Sequence, residues 1–384
     1  MPFEFSTASR ILFGPGRVQD VAPAAKEFGS RVLVVTGRSP GRSRGLENAI
    51  QAEGLKCFSL RTDGEPTVAS VRAGVEYADD QQCNVVIGYG GGSAIDTAKA
   101  IAALLTNDHD PLEYLEIVGR GRKLENPSVP FIAVPTTAGT GSEVTRNAVI
   151  ASPGERVKAS LRSPLLIARL AVVDPELTVE LPREPTAYSG LDALTQLVEP
   201  YVSVRANALT DGFCLQGLPL VARSLVRAYQ DGSDRNARSD MSLAALLSGL
   251  ALANAGLGAV HGFASSIGGA SAAPHGAICA ALLPHATRVN IRALRSRAPE
   301  SEQLRRYRTI AQTLTEDEQA ETGALCDWLM ETCHLLGVPK LATFGVDEAE
   351  ATMLIEGAKR SSSMKGNSIQ LTDDELSEIL SSAM

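Results

Sequence analysis

The sequence lacks the features typical of secreted, membrane-bound or nucleic-acid-binding proteins. None of its six cysteines forms a CxxC pair, so they fit scattered core or surface thiols in a reducing compartment. The first ten residues, MPFEFSTASR, lack the basic, apolar and small-residue zones of a cleavable signal. The net charge of −8 argues against nucleic acid or an anionic membrane as the main partner. We therefore expect a cytoplasmic protein.

Charged residues are absent from the long stretch Ser242–Thr287, although 21% of the whole chain is charged. The length would permit a membrane span, but seven glycines and polar residues such as Ser265 argue against one. We predict instead helices buried on all sides at the centre of a soluble domain. Gly268-Gly269 and Pro274 are expected to break the stretch into at least two helices.

Three of the five histidines lie in this stretch, at His261, His275 and His285. A buried imidazole needs a partner, which a metal ion, a substrate or ordinary hydrogen bonds could supply. Earlier in the chain, Asp192 and Gln196 are spaced to share one face of a helix. A carboxylate with two imidazoles suits Zn²⁺ or Fe²⁺. The spacing alone leaves a metal site and hydrogen-bonded core histidines equally open.

Residues 1–183 alternate short apolar runs with helical patterns. The predicted strands and helices are, in order, Arg31–Thr36, 46–53, Lys56–Leu60, 68–78, Asn84–Tyr89, 94–105 and Pro130–Val134. This alternation predicts a parallel sheet with helices on both faces, which binds ligands beyond the carboxyl ends of its strands. After the two prolines of Leu181–Pro185, apolar residues recur at helical spacing, so residues 184–384 are predicted to form an all-helical domain.

Two motifs directly follow predicted strands. In Gly88–Lys99 (GYGGGSAIDTAK), a strand leads through three glycines and Ser93 into a helix. Glycine permits close backbone approach and a helix start attracts phosphate, so we favour a phosphate site over an ordinary glycine turn. Asp96 is expected in the first turn of that helix, either favouring the helix dipole or holding a ligand. Pro135–Thr145 (PTTAGTGSEVT) suits contact with phosphate or ribose, but a plain polar loop would look similar.

The motifs GGGSxxDxAK, PTTAGTGSEVT, GLDALT and the HG…PHG pair occur in this order. Along nearly its whole length the chain thereby resembles the iron-containing, or group III, alcohol dehydrogenases. The resemblance implies a dehydroquinate-synthase-like architecture: a Rossmann-like dinucleotide-binding α/β domain, then a helical metal and substrate domain. The nucleotide-binding residues that it implies are Gly90, Gly91, Gly92, Ser93, Thr136, Thr137, Thr140, Ser142, Thr145, Lys158 and Leu177.

The same resemblance implies a divalent metal, Fe²⁺ or Zn²⁺, held by Asp192, His261 and His275. Asp96, Lys158 and His261 are the candidate catalytic residues, with Lys158 near the nicotinamide. The chemistry would be reversible hydride transfer between an alcohol carbon and nicotinamide C4, with the metal polarising the carbonyl.

Three positions depart from the family pattern. Gln196 stands where the family usually has a metal histidine, and an amide oxygen is a weaker ligand. Ser265 replaces a histidine that often lies four residues after the first HG-motif histidine. The related glycerol dehydrogenases use one Asp and two His, a set that this chain keeps. We therefore expect a metal enzyme of altered affinity, favouring zinc, with a metal-free dehydrogenase as the alternative.

The third departure is Gly37, where NAD-using relatives often carry an Asp that repels a 2′-phosphate. Arg38, Arg42 and Arg44 follow it with no acid among them. This loop favours NADP, although a solvated basic loop would have the same composition.

Three functions fit these observations. The favoured one is an NAD(P)-dependent alcohol dehydrogenase or aldehyde reductase with a small-molecule substrate, forming a homodimer or larger homo-oligomer as the family usually does. The second is a maleylacetate-reductase-like or polyol dehydrogenase, and Arg146 or Arg162 at the site would indicate an anionic substrate. The third is a catalytically degenerate nucleotide-binding sensor or scaffold, supported by Gln196 and Ser265.

Overall fold

A computed structural model describes residues 2–39, 41–116 and 118–384. The described chain divides into two compact units. An α/β unit comprises residues 6–137 and 141–179, and a helical unit comprises residues 2–5, 138–140 and 180–384. The short N-terminal segment is tied to the helical unit by a ring contact between Phe5 and Phe213, whose centroids are 5.7 Å apart.

The α/β unit is built on a six-stranded parallel sheet with the order β1-β8-β5-β4-β2-β3. Its strands are β1 (Ile11–Phe13), β2 (Arg31–Thr36), β3 (Lys56–Arg61), β4 (Val85–Gly90), β5 (Phe131–Pro135) and β8 (Leu170–Val173). Strands β4 and β5 are buried at every position, as central parallel strands covered by helices on both faces must be. A separate antiparallel hairpin is formed by β6 (Asn147–Ser152) and β7 (Val157–Arg162).

The helices of this unit are α1 (Val21–Phe28), α2 (Arg44–Ala52), α3 (Val68–Asp80), α4 (Gly92–Leu104) and α5 (Pro111–Tyr114). The four predicted strands and three predicted helices are confirmed, with ends shifted by one or two residues. The outer strand β1, the short strand β8 and the hairpin were not predicted. Their apolar runs are too short, or too interrupted by polar residues, to stand out in the sequence.

The connections of the sheet reverse direction between β2 and β4. From β2 the chain moves outward to β3, then crosses back over β2 to β4 and continues to β5. The register places Thr36 beside Tyr89 and Gly90 beside Pro135, so the loops after β2, β4 and β5 leave the same edge of the sheet. Such a reversal point is where open α/β sheets bind their ligands.

The helical unit consists of long helices around one apolar core. They are α6 (Arg183–Val202), α7 (Ala208–Gln230), α8 (Arg235–Ala255), α9 (Ala259–Ala270), α10 (His275–Arg297), α11 (Glu302–Thr315), α12 (Thr322–Leu335), α13 (Ala351–Arg360) and α14 (Asp373–Ala383). The predicted change from an α/β to an all-helical architecture is confirmed. The uncharged stretch forms most of α8, all of α9 and the first half of α10, and its apolar side chains are largely buried.

The predicted break at Gly268-Gly269 is wrong, because α9 runs through both glycines and ends at Ala270. Gly268 is buried, and tertiary packing outweighs the low helix propensity of glycine there. The true breaks lie at residues 256–258 and 271–274. Gly256 has φ +73, a left-handed conformation that ends α8 and that glycine adopts without strain.

No single helix in the described residues has the length and hydropathy needed to cross a membrane. Helices α8 and α9 pass that test only as a pair, and the pair is bent by 96°.

Candidate functional site

Four potential metal ligands meet inside the helical unit. Asp192 lies on α6, His261 on α9, and His275 and Cys279 on α10. One ligand atom from each lies within 4.8 Å of the others. Asp192 Oδ1 is 3.3 Å from His261 Nε2 and 3.7 Å from His275 Nε2. The structure therefore brings the predicted carboxylate and both predicted histidines together, and adds a thiol that the sequence analysis did not single out.

The start of α10 approaches α6 closely enough to place its first residue in this cluster. A Cβ on Gly276 would lie 2.5 Å from the carbonyl oxygen of Tyr188, so only glycine permits this contact. Tyr188 lies one helical turn before Asp192. The glycine after the second histidine of the motif thus sets the distance between His275 and the carboxylate.

Glu199 orients His261 and was not anticipated from the sequence. Its Oε2 accepts a hydrogen bond of 2.7 Å from His261 Nδ1, and its Oε1 accepts one of 2.7 Å from the backbone N–H of Val260. Because a carboxylate only accepts, Nδ1 carries a proton and Nε2 is the nitrogen that faces the cluster. A carboxylate behind a histidine is the arrangement that fixes metal-binding imidazoles. The signal was present, since Asp192 and Glu199 are seven residues apart on one helix.

The cluster is strongly polarised. Burial alone would raise the pKa of Asp192, but His275 and His261 lower it overall. Burial lowers the pKa of His275, yet the neighbouring Cys279 and Asp192 raise it to about 9. Burial likewise lowers the pKa of His261, and Cys279, Asp192 and Glu199 raise it well above its ordinary value. The carboxylate and its neighbours thus create a place that favours positive charge.

These residues fit a divalent cation. Among the described residues Asp192 Oδ1 has no hydrogen-bond partner, although it is fully buried, and such an orphaned carboxylate oxygen is costly. The donors are one carboxylate, two imidazoles and one thiol, all of which bind Zn²⁺ and related ions. His275 is 35% exposed at its side chain, whereas Asp192 is 2% exposed, so the cluster opens on the His275 side.

Gln196 was predicted as a weak fourth ligand. Its side chain is buried, and its Oε1 accepts a hydrogen bond of 2.9 Å from Ser248 Oγ. The amide oxygen therefore already has a partner within the helical unit. Ligation by Gln196 stays a prediction.

In the α/β unit, the three glycines join β4 to α4 at the reversal point of the sheet. Helix α4 begins at Gly92 without a side-chain cap and with no acidic residue in its first turn. The added Cβ of a residue at position 91 would lie 3.3 Å from Thr137 Cγ2, and one at position 90 would lie 2.7 Å from Ala94 Cβ. This backbone has the close packing and uncapped N-terminus that suit a phosphate. Ser93 lies in the first turn of α4 and is half-buried.

Asp96 lies in the second turn of α4, not in the first turn as predicted. Its side chain anchors the Pro135–Thr145 loop. Its Oδ1 accepts a 2.5 Å hydrogen bond from Ser142 Oγ, and its Oδ2 accepts one of 2.9 Å from the Val149 N–H. The predicted placement in the first turn was wrong because the helix starts at Gly92, earlier than expected.

Lys99 is the hub of this loop and was missed as an individual residue. Its buried ammonium lies 2.8–3.3 Å from five acceptors, which are the carbonyl and hydroxyl oxygens of Ser142 and Thr145 and the carbonyl of Asn147, and its three N–H groups are shared among them. Thr136 N–H donates to Gly90 O at 2.9 Å and joins this loop to the glycine loop. Ser142 and Thr145, predicted to line the nucleotide, thus have a visible role in shaping the loop. Thr140 belongs to the helical unit.

The remaining predicted nucleotide residues belong to the α/β unit. Lys158 on β7 is buried and forms an ion pair with Glu65. Leu177 O accepts a 2.7 Å hydrogen bond from Arg42. Gly37 follows β2 directly, and nothing lies within 4 Å of the position a Cβ would take.

Two further arginines of the sequence analysis have partners within the protein. Arg162 donates to Glu116 Oε1 at 3.1 Å, and the exposed Arg38 donates to Asp63 O at 2.6 Å. The pairing of Arg162 gives no support to an anionic substrate.

Comparison with known proteins finds matches over nearly the whole chain. Residues 8–175 match the family model for iron-containing alcohol dehydrogenase, and residues 186–384 match the C-terminal model of the Fe-containing alcohol dehydrogenase family. Alcohol dehydrogenase 4 of Schizosaccharomyces pombe is 37% identical over 387 aligned residues, covering 99% of this chain and 89% of that protein. NAD-dependent methanol dehydrogenase of Bacillus methanolicus is 30% identical, covering 97% of both chains.

A crystal structure of 1,3-propanediol oxidoreductase superposes with a TM-score of 0.92 at 30% identity and covers 100% of both chains. Two matching family models, full-length relatives and a shared fold lead to one assignment: the chain belongs to the iron-containing alcohol dehydrogenase family, and it is an alcohol dehydrogenase.

Proposed function

We propose that the protein interconverts a small alcohol and its aldehyde or ketone by hydride transfer with NAD(P), assisted by a divalent metal held in the helical unit. Family membership supports the alcohol oxidoreduction, the nicotinamide cofactor and the metal. The observation that carries the metal is the buried, unpartnered Asp192 Oδ1 facing two imidazole nitrogens.

Asp192, His261 and His275 would hold the metal, and the bound ion would supply a Lewis acid for the carbonyl oxygen. The chain's own residues prepare that place. The hydrogen bond from Nδ1 to Glu199 leaves Nε2 as the nitrogen of His261 that faces the cluster. The partly exposed edge of His275 leaves one side open to a small molecule.

The nucleotide is proposed to bind at the carboxyl edge of the sheet, with its pyrophosphate at Gly90–Ser93 and its adenosine ribose near Gly37. The reversal between β2 and β4 and the uncapped start of α4 support this placement. Thr136, Thr137, Thr140, Ser142, Thr145 and Leu177 are the further proposed nucleotide contacts.

Lys158 and His261 are proposed as catalytic residues, Lys158 at the nicotinamide end. One Asp96 oxygen accepts from Ser142 and the other from Val149 on β6, so we propose that Asp96 positions this loop against β6. The boundary between the nucleotide-binding and metal-binding domains is proposed near residue 183. A cytoplasmic location is proposed from the cysteine pattern of the sequence, and a homo-oligomeric assembly is proposed from the family resemblance.

We also propose that NADP is used at least as well as NAD. The support is the open position beside Gly37, where an acidic side chain would repel a 2′-phosphate, and the adjacent Arg38 and Arg42.

The test is an aldehyde and alcohol screen, followed by NAD(P)H absorbance, with both cofactors and with and without added Zn²⁺ or Fe²⁺. Turnover of at least one small aldehyde is expected. A folded protein that binds NAD(P)H but turns over nothing in the panel, with any metal, would favour the sensor or scaffold alternative.

A further inference from the structure

Gln196 is a weaker metal ligand than the histidine usual at its position in the family. A different residue, Cys279, lies close to the other ligands. Gln196 Oε1 is engaged by Ser248. On α10, Cys279 follows His275 by one turn, so both side chains lie on one helix face. The Cys279 side chain is fully buried, and its Sγ lies 3.6 Å from His275 Nε2 and 3.8 Å from His261 Nε2.

These separations are those of ligands that share one tetrahedral ion. Bond lengths of about 2.0–2.1 Å to N or O and about 2.3 Å to S give tetrahedral edges of roughly 3.3 Å between N and O and roughly 3.6 Å between N and S. The observed N···O separations are 3.3 and 3.7 Å, and the observed N···S separations are 3.8 and 3.6 Å. These four separations are therefore close to the edge lengths that one such ion needs, and all four donor atoms lie within 4.8 Å of one another.

We propose that the Cys279 thiolate is the fourth protein ligand of the metal, in place of the histidine lost at Gln196. The inference rests on the proposed metal-assisted function and adds a ligand to it. On binding, the thiol loses its proton to solvent and its sulfur lone pair forms the metal–sulfur bond, with no change of oxidation state. Asp192 and Cys279 together then balance the charge of a divalent ion, and a substrate oxygen would join as a fifth ligand from the exposed His275 side.

Cys333 is a second buried cysteine beside α10, but it does not belong to the ligand cluster. Cys333 packs behind α10, and its Sγ donates to Ala280 O at 3.5 Å. Burial raises the pKa of Cys333 to about 12, which keeps it a protonated thiol. No member of the described ligand cluster other than Cys279 carries sulfur. Cys333 is therefore a matched control, since it is a buried cysteine close to Cys279 in the chain fold but outside the cluster.

The thiolate should change which metal is preferred. Sulfur donors favour borderline ions such as Zn²⁺ and Co²⁺ over harder metal ions, whereas imidazole suits several transition metals. Compared with a site of one carboxylate and three imidazoles, this site carries one more negative charge. We expect Zn²⁺ to be retained more tightly than Fe²⁺ when the two compete.

The test uses the full-length protein, stripped by a chelator and titrated with Co²⁺ alone. Cobalt bound by a thiolate shows a sulfur-to-metal charge-transfer band in the near ultraviolet, which oxygen and nitrogen ligands do not give. Wild type and Cys333→Ala should show the band at one Co²⁺ per chain. Cys279→Ser, which keeps the side-chain volume, should lose the band and bind Co²⁺ at least about 100-fold more weakly.

A double variant keeps the test decisive if the single variant fails to hold any metal. Gln196→His with Cys279→Ser should regain stoichiometric Co²⁺ but without the sulfur band. Wild type that binds one Co²⁺ with no band, or Cys279→Ser that keeps the band, overturns the inference while the metal-assisted function stands. Wild type that binds no Co²⁺ or Zn²⁺ at all overturns both.

Discussion

The two candidate sites of this protein differ in the groups that form them, which are backbone groups in one site and side chains in the other. In the α/β unit, the proposed phosphate site is backbone: glycines between β4 and α4, and an uncapped helix start. In the helical unit, the metal cluster is made from side chains on three separate helices. The buried charges differ accordingly. Lys99 is satisfied by the chain's own oxygens, whereas Asp192 Oδ1 has no partner among the described residues. A group satisfied internally shapes a loop, and one left unsatisfied indicates a missing ligand.

The largest effect is expected from removing a metal ligand. His261→Ala should lower kcat/KM by more than about 100-fold and release the metal, because even outer contacts of a metal ligand are worth 10- to 100-fold. Gln196→Ala should cost less than about 10-fold, since its amide oxygen is held by Ser248. Metal content and circular dichroism of both variants separate ligand loss from the cavity that truncation creates. Equal metal loss in the two variants would contradict the assignment.

The next largest effect should come from the backbone site. Gly91→Val places a branched side chain beside Thr137 and across the path of a phosphate, so the Kd for NAD(P)H should rise at least about 100-fold, about 2.7 kcal/mol. Gly154→Val, in an exposed turn with nothing within 4 Å, is the control and should bind normally. Fluorescence titration of the folded proteins measures both. Unchanged affinity in Gly91→Val would remove the phosphate site from this loop.

A smaller effect is expected from changing Glu199, which contacts the ligand His261 and not the metal itself. Glu199→Gln keeps the shape but replaces the carboxylate that accepts from His261 Nδ1, so Zn²⁺ affinity should fall about 10- to 100-fold. Competition with a coloured chelator measures that affinity. Thermal stability of the metal-free protein should change much less, and a loss of stability without a loss of affinity would make Glu199 a purely structural helix cap.

Stability should show a pH dependence that arises in the α/β unit. Burial raises the pKa of Glu143 from its usual 4.5 to about 7. A carboxyl whose folded pKa lies above its unfolded pKa stabilises the fold fully below pH 4.5, and that contribution is lost as the pH rises through about 7. Glu143→Gln should therefore gain stability relative to wild type above that pH, by up to about 3 kcal/mol.

Chemical denaturation on either side of neutrality measures this difference. The exposed Glu155→Gln is the matched control and should follow wild type at both pH values. A Glu143→Gln protein whose stability falls with pH as steeply as wild type would contradict the account.

The smallest effect concerns cofactor choice. Gly37→Asp introduces a carboxylate into an open position after β2, which should shift the NADP/NAD ratio of kcat/KM by about 10-fold towards NAD, or about 1.4 kcal/mol. Ser39→Asp adds the same charge at an exposed position two residues on and should shift the ratio less. Wild type with a strong NAD preference, unaffected by Gly37→Asp, would contradict the NADP proposal.

The same contrast explains what could be predicted from the sequence. The glycine loop is contiguous, and strand, glycines and helix start can be read within Gly88–Lys99. Asp192, His261 and His275 were proposed as a metal set from their residue types and positions, and the family resemblance then singled them out as metal ligands. Cys279 and Glu199 were not part of that set, and their roles depend on how α6, α9 and α10 pack. Helical spacing from His275 and from Asp192 carried the only local signal.

Tertiary packing also explains the error within the uncharged stretch. Gly268 and Gly269 were expected to break a helix, but α9 continues through them because its apolar face is buried in the core. Local propensity of about 1 kcal/mol per glycine is outweighed by that burial. The break at Gly256 depends on a single left-handed residue, which composition does not distinguish from neighbouring glycines.

The central claim is that Asp192, His261 and His275 hold a metal on which catalysis depends. The most direct measurement is elemental analysis of fully active wild-type enzyme, followed by chelation and stepwise return of Zn²⁺ or Fe²⁺ while NAD(P)H turnover is recorded. The account predicts one divalent ion per chain and activity proportional to the ion restored. Full activity in protein that contains no stoichiometric metal and is unaffected by chelators would contradict it.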